Sequence, residues 1–225
     1  MRVSVTEGKL GTVGAKAPAF VSRFHPPCGI NQEIWRQQRP KVQAFPVVTT
    51  VPTNVNIFSA CLEPGMGTYY FEVDPGGTAF RQMVIEEDGS LVVSNRKHEQ
   101  FHFMLAEHPI DVTDPYYEPI PKSLFEELWT RSLETTMEEW NQVKLALPVG
   151  MEVEGAIEAF FPQGTLVNLL QDQAIGLADT TALDHTTPVE RMYSGFKLAA
   201  TVKDYDELNQ WVLLDHARVL EAKRR

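Results

Sequence analysis

Runs of β-branched and aromatic residues, broken by prolines and turn formers, fill the first half of the chain. VVTTVPTNVNIFSACL, beginning at Val47, suits one or two edge strands around Pro52. TYYFEV, beginning at Thr68, predicts another strand, and so do RQMVIEE and SLVVSN. Asp88-Gly89 stands between these last two runs and marks a short hairpin. Pro18, Pro26, Pro27, Pro40, Pro46, Pro52 and Pro64 exclude long helices upstream of residue 65.

The period changes after Pro121. Leu124, Leu128, Leu133, Met137, Trp140 and Val143 recur at three- to five-residue steps, which predicts one amphipathic helix over 121–147. Its other side carries Glu126, Glu127, Glu134, Glu138 and Glu139, a solvated face. Ser123 with Glu126 three residues on has the pattern of a capping box. Pro148 and Gly150 close the helix. Five short apolar runs follow, GMEVEGAIEAFF, GTLVNLL, QAIGLAD, FKLAATVKDYD and NQWVLLD, enough for a small closed barrel. The pattern therefore predicts an α+β chain: a β-rich N-terminal domain (1–120), an amphipathic connecting helix (121–147) and a C-terminal five-stranded barrel (148–225) with a short basic tail.

Composition narrows the classes. The 225 residues are 43% hydrophobic and 22% charged, ordinary for a globular protein. A formal charge of −10 repels nucleic acid at long range unless the cations gather on one face. Cys28 and Cys61 allow at most one bridge and fit better as two small buried thiols. No apolar run approaches bilayer length, so no membrane partner is expected. The N-terminus lacks the apolar core of a signal peptide, and a cytoplasmic location is the expectation. Gly8, Gly11 and Gly14 are not followed by the Lys-Ser/Thr pair of a phosphate loop, and no nucleotide, flavin or nicotinamide motif stands out. No cofactor is expected.

One segment invites a catalytic interpretation. HEQFHFMLAEH, from His98 to His108, contains HExxH, in which a helix sets two histidines one turn apart on zinc beside a glutamate. The third histidine has the metzincin spacing, yet Leu105 holds the position where that group turns on a glycine. On an unbroken helix His108 would point about 100° away from the other two. Read as a strand, which the pattern favours, Phe101, Phe103 and Leu105 share one face and the histidines the other. His98 and His102 would then lie about 13 Å apart. A zinc hydrolase using His98, Glu99 and His102 is the minor alternative. Cys28 beside His25 in HPPCG reads as a structural turn, not a nucleophile pair.

The last third carries a resemblance. Gly150 and Gly155 flank its first strand, Gly164 and Val167 mark the second, and Gly176-Leu177 the third. Gly195 opens the fourth, Asp206 sits in the next turn, and Asn209 to Leu214 form the last. In this order they resemble the S-one-type RNA-binding domain, an OB fold, over about residues 148–218. The resemblance implies a binding role toward single-stranded RNA, through second-strand aromatics, a histidine after the third-strand Gly-Leu pair, and basic residues on the last strand. Here those positions hold Gln163, Leu166, Ala178, Gln210 and Trp211. Phe160, Phe161, Tyr205 and Trp211, with Lys197 and Lys203, are the candidates for a rebuilt surface. Between residues 148 and 219, eleven acids face four bases, giving −7. Two functions follow as expectations: a non-enzymatic binding protein associated with RNA or the translation and transcription apparatus, or a scaffold for a protein partner that has lost RNA binding.

Overall fold

The computed structural model describes residues 55–60, 67–98, 102–188 and 191–220. Val47 to Asn54, Cys28 and Cys61, and the basic tail lie outside these. Five strands come first: β1 (Asn56–Ala60), β2 (Thr68–Val73), β3 (Ala79–Ile85), β4 (Leu91–Val93) and β5 (Glu118–Pro119). They form an antiparallel sheet in the order β4-β3-β2-β1-β5. The Asp88-Gly89 pair does close the β3–β4 hairpin, but in a loop of five residues instead of two. Glu86 N–H donates to Ser90 O, and Gly89 takes a φ of 83° that a side chain would strain.

Because side chains alternate along a strand, this sheet has two working faces. One carries Ile57, Met83 and Val93 and packs on the helix that follows, against Phe125, Leu128, Trp129 and Leu133. The same face holds a buried ion cluster, for which neither charge pattern nor spacing gives a signal. Arg81 and Glu72 are directly opposite in β3 and β2, and both are fully buried. Arg81 Nε and Nη2 donate to the two Glu72 oxygens at 2.6 and 2.9 Å, and Nη2 and Nη1 donate to Glu126 at 2.6 and 3.1 Å. Its guanidinium also lies 5.0 Å and 5.1 Å from the Phe125 and Trp129 ring centres. Burial opposes the charge, but bonds to the two carboxylates outweigh it, and the Arg81 pKa is raised.

That cluster also explains why the capping box is absent. Helix α1 (Lys122–Glu134) starts after Pro121 with no side-chain cap, since Glu126 is drawn to Arg81 instead of folding back to the helix start. The single predicted helix is in fact two, α1 and α2 (Met137–Ala146), broken at Thr135 and Thr136. A helix end leaves carbonyls without partners, and here distant residues satisfy them. Arg96 Nη2 donates to Ser132 O at 3.1 Å, and Gln210 Nε2 donates to Leu133 O at 3.1 Å. The apolar stripe runs on past the break, through Trp140 and Val143, so periodicity alone does not reveal it.

The C-terminal part is a closed barrel of β6 (Glu152–Phe161), β7 (Gly164–Leu169), β8 (Ala174–Ala178), β9 (Lys197–Asp206) and β10 (Trp211–Val219). The strands run in the order β10-β8-β7-β6-β9, with β10 closing on β9 and only the β10–β8 pair parallel. A short helix, α3 (Thr180–Thr186), joins β8 to β9; Asp179 caps it by accepting from the Thr181 and Ala182 amides. This connectivity is that of an OB fold. Val153, Ile157, Val167, Leu169, Leu198, Val202, Val212 and Leu214 fill the interior, and Leu183 of α3 joins them. Gly155 is required by close packing: a Cβ there would sit 2.6 Å from the Asn168 carbonyl oxygen.

Candidate functional site

An OB fold ordinarily presents its second and third strands, with the turns after its first and fourth strands, to ligands. In this chain those parts are β7 and β8, the Pro162–Gln163 turn and the Glu207–Gln210 turn. The outer face of these strands is covered by the first sheet, and both turns are bonded to other parts of the chain. Along β7 and β8, Val167 and Ala178 point into the barrel, whereas Leu166 and Leu177 point out and are buried against the first sheet. There they share one core with Tyr69, Phe71 and Val73 of β2 and with Phe103, Met104 and Leu105.

The turns are pinned to the same structure. Gln163 Nε2 donates to Phe80 O at 2.6 Å. Asn95 Nδ2 donates to Asn209 O at 3.0 Å, while Trp211 Nε1 donates back to Asn95 O at 2.7 Å. Trp129 Nε1 reaches Leu208 O at 2.7 Å, and Trp140 Nε1 reaches Glu207 Oε2 at 2.6 Å. Each of these turns therefore closes a long-range contact. Gln163, Leu166, Ala178 and Trp211 are all buried. At three of the five positions where the resembled family places its RNA contacts, Gln163, Leu166 and Trp211, this chain has a side chain that fits an internal interface. A fourth, Ala178, points into the barrel. The fifth, Gln210, caps α1.

The six candidate side chains do not form one surface. Phe161 is buried between Phe103 and Trp211, edge-on to both at 5.7 and 6.0 Å between ring centres. Tyr205 is half-buried, with its hydroxyl donating to Leu147 O at 2.8 Å and its ring edge-on to Trp140. Phe160 is partly buried against the barrel core. Lys197 and Lys203 are exposed on β9 and pair with no acid among the described residues.

The two described residues of HEQFH, His98 and His102, belong to no helix and no named strand. They form an antiparallel bridge with N–H···O distances of 2.7 and 2.9 Å. An extended 13 Å separation does not hold; such a bonded pair has its Cα atoms about 5.5 Å apart. An antiparallel bridge between the two histidines is also not the helical spacing with which an HExxH zinc site aims its imidazoles. His98 Nε2 lies 3.0 Å from Val93 O, to which it donates in the Nε2–H tautomer, and burial lowers the imidazole pKa. Glu99 and Phe101 lie outside the described residues. Phe103, Met104 and Leu105 are all buried in succession, because this segment is wedged between sheet and barrel instead of lying on a face. Among the described residues no cluster of three or more His, Cys, Asp or Glu is placed to hold a metal ion.

The barrel's other wall, β6, β9 and β10, is open. A groove of about 570 Å³ runs along it, with Ala199 and Thr201 on its floor, Glu152 and Glu154 on one side and His216 and Arg218 on the other. A bulge between Asp215 and Arg218 sets His216 at a φ of 53° and turns it outward. The sequence pattern singles out neither Arg218 nor His216, since bulges leave no mark on alternation.

No helix among the described residues is long and apolar enough to cross a membrane. No protein-family model matches the chain, and no curated protein matches it. Among solved structures it is similar to a multidomain protein with nucleic-acid-binding domains from Streptococcus pneumoniae, at 11% identity and a TM-score of 0.22. That match takes in 72% of this chain and half of the other. At this level it lends no weight to a role for this chain.

Proposed function

We propose that the chain is a non-enzymatic binding protein, associated with RNA or with the translation and transcription apparatus, built on an S-one-type OB barrel. The observation that carries this is the barrel's connectivity: a closed β10-β8-β7-β6-β9 order with a helix between the third and fourth strands. Of the residues that carry the S-one resemblance, Gly150, Gly164, Gly195 and Asp206 fall at strand ends and turns of that barrel. Gly155 and Gly176 lie within β6 and β8. Lys197 and Lys203 remain as candidate contacts on its exposed side. Phe161 and Trp211 serve packing in the folded chain, so contact with RNA through them would need the interface to open.

A second function has its own support. The covered β7–β8 wall and the −7 charge of residues 148–219 suit a scaffold that holds protein partners and not RNA. Titrating a short mixed-sequence single-stranded RNA into the protein, followed by fluorescence anisotropy at roughly 50 and 200 mM salt, separates the two. RNA association predicts binding that weakens as salt rises. No binding at the lower salt defeats it and leaves the scaffold.

A further inference from the structure

The OB barrel has two kinds of wall, and only one is open to solvent. We infer that a single RNA strand lies along the β9–β10 wall of the barrel, outside the β7–β8 face that OB folds ordinarily use, with its phosphates over Lys197, Arg218 and Lys203. This rests on the RNA-associated function proposed above and says where on the barrel it acts.

The cations carry the inference. Arg81, Lys97 and Lys144 are engaged with carboxylates, and Arg96 is spent on the α1 end. Five exposed cations pair with no acid among the described residues: Lys122, Arg131, Lys197, Lys203 and Arg218. Three of the five fall on this one wall. Lys197, Ala199, Thr201 and Lys203 form the outward row of β9, and Arg218 of β10 stands opposite Ala199. At about 3.3 Å per residue, Lys197 and Lys203 mark the ends of a track about 20 Å long. Arg218 stands beside the track between them.

The groove's shape suits a strand and not a duplex. Its sides, β6 and β10, are separated by β9 alone, so they stand about 10 Å apart, two strand spacings. The small floor residues Ala199 and Thr201 make room between the longer side chains of Glu152, Glu154, His216 and Arg218. The β6 side carries two acids, Glu152 and Glu154, while the β10 side carries Arg218 and a single acid, Asp215, opposite Thr201. Phosphates therefore belong on the β10 side, with bases toward β6, where Glu152 and Glu154 accept hydrogen bonds from exocyclic amino groups such as cytosine N4. Every strand of a closed barrel is paired on both sides, so the ligand lies across the wall and does not add to a sheet edge.

The test uses the full chain and the same mixed-sequence RNA. Three proteins are compared: wild type, Lys203→Glu/Arg218→Glu, and Lys122→Glu/Arg131→Glu, which changes net charge equally on α1. All four positions are exposed, and circular dichroism verifies the folds. The wall variant is expected to bind roughly tenfold more weakly, with the slope of log affinity against log salt shallower by about one per lost cation. The α1 variant is expected to match wild type. Equal weakening in both charge variants means that only total charge matters and overturns the site. Binding that persists undiminished in the wall variant also overturns the site, while leaving RNA association intact. Absence of wild-type binding at low salt overturns both.

Discussion

The covered and open walls of the barrel come from the same five strands and differ in what they meet. On the β7–β8 side the outward residues are Leu166 and Leu177, with Trp211 beside them on β10, and all three are buried against the first sheet. On the β9–β10 side the outward residues are Lys197, Ala199, Thr201 and Lys203 of β9 with Asp215, His216 and Arg218 of β10, all in contact with solvent. The alternation inside each strand is equally regular, so the interior is the same kind of core on both sides. What differs is the partner layer. The β7–β8 wall is covered by an internal neighbour, and the β9–β10 wall is left to solvent.

That contrast sets the size of mutational effects. Trp211→Ala, which removes a buried ring packed on Phe161 and its hydrogen bond to Asn95 O, is expected to cost about 3–5 kcal/mol of unfolding free energy in urea titrations. Lys203→Ala, on the open wall, is expected to stay within about 0.5 kcal/mol of wild type. Similar costs at the two positions would erase the distinction between the walls.

A smaller effect tests the wedge that fills the covered side. Burial lowers the His98 imidazole pKa, despite its bond to the Val93 carbonyl. Its neutral form is therefore the one the fold prefers. The stability it contributes is fully present above the ordinary histidine pKa, about 6.5, and is lost as pH falls below it. In His98→Asn the part of the stability decline between roughly pH 6.5 and 5 that comes from this group is expected to disappear, read from denaturant midpoints. A profile identical to wild type would show that His98 is solvated.

Much of the fold was legible. TYYFEV is β2 to the residue, and the five apolar runs after Val149 are the five barrel strands, because period and turn residues are local signals. Features made by distant partners were not. The α1–α2 break depends on Arg96 and Gln210, and the missing capping box on Arg81. The covered wall was half legible: Gln163, Leu166 and Trp211 depart together from the resembled pattern, and all three are buried at the interface. Aromatic content alone misleads here, since Phe161 and Trp211 have the chemistry of stacking platforms but are used as core.

The central claim, that the barrel's β7–β8 side is an internal interface, is tested most directly by the Phe103–Phe161 contact, which joins the wedge to the barrel edge-on at 5.7 Å. Urea unfolding of Phe103→Leu, Phe161→Leu and the double variant forms a double-mutant cycle. A covered wall predicts a coupling of about 0.5–1.5 kcal/mol between the two rings. Losses that simply add, within about 0.3 kcal/mol, would contradict it.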